Sequence, residues 1–105
     1  MKVLCIATDH MSLIELRRAT VSADWELAPG ATTADEAIAQ VEQERPHILV
    51  VAGPYADLIA AVRERFPAMR VVAVRDLPGA DVVATSLAEV RGAVRGRPRP
   101  GGPVR

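Results

Sequence analysis

Short apolar runs alternate with helical periods along the chain. Val3-Leu4-Cys5-Ile6-Ala7 and Ile48-Leu49-Val50-Val51-Ala52 are apolar without interruption. Such runs suit strands buried on both faces, as in a parallel sheet with helices above and below it. Residues 2–7 and 47–52 are therefore predicted strands. Val71-Val72-Ala73-Val74, bracketed by Arg70 and Arg75, predicts another, with a short strand at Trp25-Glu26-Leu27-Ala28 and a fifth over residues 81–85.

Between these runs the period changes to that of a helix. Residues 11–21 place Leu13, Leu16 and Thr20 on one stripe, with Ser12 near the start. Thr33 with Glu36 three residues on forms a capping box, followed by Ala34, Ala37, Ile38 and Val41 at helical spacing until Pro46 ends the helix. Residues 57–66 turn Leu58, Ile59, Val62 and Phe66 inward before Pro67. Ser86 caps a last helix with Leu87, Val90 and Val94 inward. The alternation predicts an α/β three-layer sandwich. Residues 1–95 form the predicted domain. Residues 96–105, with three prolines and three glycines in the stretch from Gly96, are expected to be a disordered tail.

The loop after a central strand of such a sheet is where chemistry is normally placed. Here it offers Ala52, Gly53 and Pro54, with no carboxylate, thiol or imidazole. That points away from catalysis and towards a binding or signalling module. Nucleotide-binding glycine patterns are absent, as is a nucleophile elbow. No cofactor or metal is expected. The single cysteine, Cys5, lies inside the first strand and reads as a structural thiol, which excludes a disulfide within one chain. No apolar run approaches the ~20 residues of a membrane helix and no signal peptide is evident, so a cytoplasmic protein without membrane contact is expected.

Asp9 and His10 sit at the carboxyl end of the first strand. A pair of this kind can bind a metal or exchange protons, but Asp is also a favoured helix cap. The simpler reading makes Asp9 or Ser12 the cap and leaves His10 in solvent. His47 reads as an edge residue.

Charge is unevenly distributed although the formal net charge is zero. Residues 1–90 carry 8 basic and 13 acidic side chains, whereas residues 91–105 carry five arginines and no acid. Arg95-Gly96-Arg97-Pro98 resembles the core of an AT-hook, whose arginines enter the narrow minor groove of A·T-rich DNA. Arg95, Arg97 and Arg99 are the candidate nucleic-acid contacts.

One longer resemblance covers residues 2–95. Ala34-Asp35-Glu36-Ala37-Ile38, followed after seven residues by Pro46-His47-Ile48-Leu49-Val50-Val51, is similar to the receiver domain of bacterial response regulators, as is Gly79-Ala80-Asp81 before the fifth strand. The resemblance implies a flavodoxin-like, mostly parallel sheet of order 2-1-3-4-5. It places the phosphoacceptor position on Ala52 and the acidic pocket on Ala7, Thr8 and Asp9, of which only Asp9 is a carboxylate. The switch Ser/Thr falls on Arg75, and the lysine after strand five falls near Thr85 or Ser86. Phosphoryl transfer needs a carboxylate nucleophile and a metal site, so the resemblance implies a degenerate pseudo-receiver acting through a protein partner, with no catalytic residue. The alternative is DNA association through the tail.

The resemblance fails at one element. Only Asp76-Leu77-Pro78-Gly79-Ala80 separates strands four and five, leaving no room for the usual helix. Five extended residues span about 17 Å, and a parallel crossover usually takes a dozen residues or more. An antiparallel fifth strand, joined by a hairpin through Leu77-Pro78-Gly79, is slightly preferred. The missing helix is expected to expose a face around Val72, Val74, Val83 and Val90 for a partner or a second copy of the chain.

Overall fold

The computed structural model describes residues 1–75 and 77–96. Five strands, β1 (Lys2–Ala7), β2 (Glu26–Leu27), β3 (Ile48–Ala52), β4 (Arg70–Val74) and β5 (Val82–Ala84), form one parallel sheet in the order β2-β1-β3-β4-β5. The helices are α1 (His10–Thr20), α2 (Ala34–Glu44), α3 (Ala56–Arg65) and α4 (Val90–Arg95), the last preceded by a 3₁₀ turn at Leu87–Glu89.

The uninterrupted apolar runs produce two cores because successive strand residues point to opposite faces. Leu4, Ile6, Leu49, Val51 and Val71 face α2 and α3, where they meet Ala37, Val41, Leu58, Ile59 and Val62. Val3, Cys5, Ile48, Val50 and Val72 face α1 and α4, where they meet Leu13, Leu16, Val90 and Val94. Cys5 is buried and donates through Sγ to Thr20 Oγ1 at 3.6 Å; burial pushes its thiol up to about 11. This agrees with a structural thiol.

The helix ends follow local chemistry. Asp9 caps α1, and its Oδ1 accepts the Ser12 N–H at 2.8 Å. Thr33 caps α2, and Glu36 reaches back one residue further than the capping box requires, to the Thr32 N–H. Pro46 follows Arg45, which ends α2 in the left-handed region. Ala34 and Leu87, expected to face inward, are exposed; Ala34 is the first residue of α2, and Leu87 sits in the 3₁₀ turn before α4 begins.

The hairpin expected for strand five is corrected: β5 runs parallel to β4, with Val72 opposite Val82 and Val74 opposite Ala84. The connection suffices because β5 starts opposite the middle of β4. The chain retreats by only two strand positions, about 7 Å at ~3.3 Å per residue, and crosses to a neighbour about 4.8 Å away. Its Leu77 and Ala80 pack on the α2/α3 core, taking part of a helix's place.

The proposed exposed face is corrected as well. Val72 and Val90 are fully buried, because both belong to the core beneath α1 and α4. Val83 is opposite Ala73 and so lies on the other face, beside the short connection, where it is 40% exposed. The four valines do not form one surface.

Candidate functional site

The carboxyl ends of β1, β3 and β4 converge on an open cleft of about 520 Å³. Its apolar wall contains Leu16, Ala52, Pro54, Val74, Leu77 and Leu87, and its polar groups come from Thr8, Ser12, Glu15 and Arg75. The position is the one a doubly wound sheet offers, outside the carboxyl ends of its strands.

Strand register sets the centre of the site. Ala7 is opposite Ala52 at the ends of β1 and β3. Two methyl groups therefore stand side by side where the resemblance expects a phosphoacceptor and an acidic neighbour. Thr8 follows on the exposed rim.

Asp9, the remaining carboxylate of that pocket, is turned to the helix end. Its Oδ1 takes the Ser12 N–H, and its Oδ2 accepts the hydroxyls of Ser12 at 3.2 Å and Thr8 at 3.4 Å. The Ser12 backbone N–H is the main cause holding the Asp9 carboxyl below its ordinary range, helped by both hydroxyls against partial desolvation. His10 is exposed at the first position of α1. It lies near enough to help hold Glu36 below the usual carboxylate range, chiefly the work of the Thr32 N–H. Asp9 is thus committed to the start of α1, and His10 stays exposed beside it. Among the described residues, no three His, Cys, Asp or Glu side chains are grouped to hold a metal ion.

The loop after β3 closes one side of the cleft. Gly53 has φ +138°, and a Cβ there would lie 2.8 Å from Thr8 Cγ2 and 3.0 Å from Tyr55 Cε2. Only glycine accommodates this conformation and this approach. The Tyr55 hydroxyl lies 3.1 Å from the Ala7 carbonyl and 2.9 Å from the Thr32 carbonyl, donating its one proton between them. Burial, then the Asp9 charge, pushes the Tyr55 phenol up from its ordinary value. Sequence reasoning did not single out Tyr55; the signal was the Gly-Pro-Tyr order directly after a buried strand.

Arg75 carries the other unusual backbone, with φ 75°, and its N–H donates to the Ala84 carbonyl at 2.8 Å. A non-glycine residue in this region costs about 1–2 kcal/mol, which the β4–β5 pairing offsets. On the far rim, Thr85 donates through N–H and hydroxyl to Glu89 Oε1, both at 2.9 Å. These bonds hold the Glu89 carboxyl below its usual range. The positions expected for a switch hydroxyl and a lysine therefore hold an arginine and a capped turn.

Of the candidate nucleic-acid contacts, Arg95 lies on the body of the domain. Its guanidinium pairs with Asp24 at 3.1 Å and sits 5.5 Å from the centre of the Trp25 ring. Arg97 and Arg99, and the tail from residue 97, lie outside the described residues. No described helix is long and apolar enough to cross a membrane.

No protein-family model matches this chain, and no curated protein sequence does either. Solved structures do. A CheY-like response regulator receiver domain protein from Methanospirillum hungatei JF-1 superposes with a TM-score of 0.74 at 16% identity, over 90% of each chain. The isolated receiver domain of RcsB from Salmonella enterica serovar Typhimurium, in its apo form, gives 0.61 at 16% identity over 70% of this chain and 58% of that one. A novel cobalamin-binding protein from Desulfitobacterium hafniense DCB-2 gives 0.73 at 13% identity, over 91% of this chain and 58% of that one. The chain has the receiver-like, flavodoxin-like fold, with order 2-1-3-4-5 as the resemblance implied.

Proposed function

We propose that this chain is a pseudo-receiver: a non-catalytic interaction module in signal transduction or transcriptional regulation that works without accepting phosphate. The observation that carries the reading is Ala52 in the cleft, with the buried Ala7 opposite it at the end of β1. A methyl group cannot attack phosphorus. The adjacent carboxylate, Asp9, is occupied as a helix cap rather than free to bind Mg²⁺. Phosphoryl transfer requires both functions together. The likeness to receiver domains supports a regulatory role, because that fold is shared over most of both chains.

On this reading the domain acts by surface contact with a protein partner, and its state does not depend on a phosphodonor. The test is to incubate the full chain with Mg²⁺ and acetyl phosphate and measure intact mass. The expected result is an unchanged mass. An added phosphoryl group that is released by mild base would overturn the reading.

A further inference from the structure

At the sheet edge remote from β5, the last turns of α1 overhang β2. Ile14, Arg17, Arg18, Val21 and Leu27 line a shallow groove of about 310 Å³ there. Ile14 in α1 and Val21 directly after it are 44% and 51% exposed, on the face next to the one that buries Leu13 and Leu16. The helix thus has apolar residues on two faces, of which the sheet uses one.

The charges in the groove are unmatched. Among the described residues, neither Arg17 nor Arg18 has a carboxylate within ion-pair distance. The Arg17 Nε is sealed from solvent and has no hydrogen-bond partner among them. That nitrogen is out of a docked segment's reach, so the groove's charge is carried by the rest of the Arg17 guanidinium and by Arg18. Nearby carboxylates do not neutralise the two guanidinium groups. Glu26 points to the opposite face from Leu27 by strand alternation, Glu15 lines the cleft at the strand ends, and Asp24 is paired with Arg95. Two guanidinium groups beside exposed apolar side chains form a basic, apolar groove on a body that is otherwise acidic.

We infer that this groove docks a partner protein segment carrying a bulky apolar side chain flanked by carboxylates. The apolar side chain fills the space between Ile14, Val21 and Leu27, and the carboxylates meet Arg17 and Arg18. Charge complementarity selects the acidic flanks. The acidic body repels a polyanion held by charge alone, so the apolar anchor is part of the recognition. The surface is distinct from the cleft and stands whether or not the cleft accepts phosphate.

The test is an amide-resolved NMR titration of the full chain with the peptide acetyl-Glu-Leu-Glu-Leu-Glu-amide. Its Lys-for-Glu and Ser-for-Leu counterparts and a short single-stranded DNA serve as comparisons. The acidic apolar peptide is expected to shift the amides of residues 14–21 and 27. The Arg17→Ala, Arg18→Ala double variant should weaken it about tenfold. Arg18→Glu, at an exposed position, should keep the fold and reverse the preference towards the lysine peptide. Absence of shifts at millimolar peptide, or shifts confined elsewhere, overturns the inference. So does equal binding of the serine peptide or the DNA at these amides, which would reduce the groove to a plain anion patch.

Discussion

Asp81 and Val71 exchange two hydrogen bonds: the Asp81 N–H donates to the Val71 carbonyl at 2.9 Å, and the Val71 N–H donates to Asp81 Oδ2 at 2.8 Å. Strand β5 begins one residue later, at Val82 opposite Val72. The carboxylate thus satisfies a β4 donor that no strand residue reaches. Arg63 holds the arrangement in place, pairing with Asp81 at 2.6 Å and donating to the Gly79 carbonyl at 2.9 Å. This clamp secures the return of a crossover that has no helix.

Asp81→Ala should therefore destabilise the domain by about 1–3 kcal/mol, the cost of leaving the Val71 N–H without an acceptor. Asp81→Asn should cost less, since its amide oxygen still accepts. The clamp also predicts an acid response. Burial opposes ionisation of Asp81, but the Arg63 hydrogen bond, the Val71 N–H and the charges of Arg63 and Arg70 outweigh it, so the folded value is lowered. Its contribution is fully present above the unfolded value of about 3.9 and is lost as pH falls through the folded value. Denaturant midpoints measured from pH 6 to pH 2 should show a smaller acid loss in Asp81→Asn than in the wild type.

Val72 and Val83 sit on neighbouring strands yet should respond differently to the same change. Val72→Thr places a hydroxyl in a fully buried site on the α1/α4 face. It should cost about 1–3 kcal/mol. Val83→Thr, 40% exposed on the opposite face, should stay within about 0.5 kcal/mol. Thermal midpoints separate the two, at about 4–8 °C per kcal/mol for a domain of this size. Equal losses would mean that Val83 is covered in solution.

Gly53→Ala should destabilise by about 1–3 kcal/mol, because the residue sits at a backbone angle that other residues rarely adopt. Part of the cost is the approach to Thr8 Cγ2 and part is the angle itself. Thr8→Ser removes that methyl group and leaves the angle. The Gly53→Ala, Thr8→Ser pair should then recover some of the loss but not all of it. Urea midpoints of the two single variants and the double variant complete the cycle. A neutral Gly53→Ala would show that the loop relaxes freely.

Most of the fold was legible because the apolar runs were unambiguous. Val3 to Ala7 and Ile48 to Ala52 admit no amphipathic alternative, and Thr33 with Glu36 marked a helix start directly. Strand five was misjudged for a quantitative reason. Residues 76–80 are short for the return along a whole strand, whereas register requires a retreat from Val74 only to the level of Val72. Register is a tertiary property that length alone does not reveal. At the cleft, the alanines at 7 and 52 were legible as an absence of chemistry, and the structure brings them together. Tyr55 and Arg75 were missed as shaping residues because their roles depend on backbone angles at Gly53 and Arg75. The orphaned Nε of Arg17 leaves no trace in a pattern of residue types.

Arg95 offers a direct probe of where the basic end of the chain begins to act. The sequence grouped it with Arg97 and Arg99 as a contact for DNA; in the structure its guanidinium lies over the Trp25 ring and pairs with Asp24. Trp25 is itself buried and fixed by donation from Nε1 to the Thr20 carbonyl at 2.9 Å. Removing the cation in Arg95→Ala should change the Trp25 emission and cost about 0.5–1 kcal/mol, the range for an exposed cation–π contact. Arg95→Lys should restore only part, because an ammonium lacks the planar group that stacks on a ring. High salt should weaken the exposed pair with Asp24 and leave most of the stacking intact. The chain's single tryptophan then reports on DNA as well. A duplex that engaged Arg95 would have to draw it from Trp25. The expected outcome is that an A·T-rich duplex at low salt leaves the Trp25 emission unchanged. A change matching that of Arg95→Ala would show Arg95 leaving the domain surface for the nucleic acid.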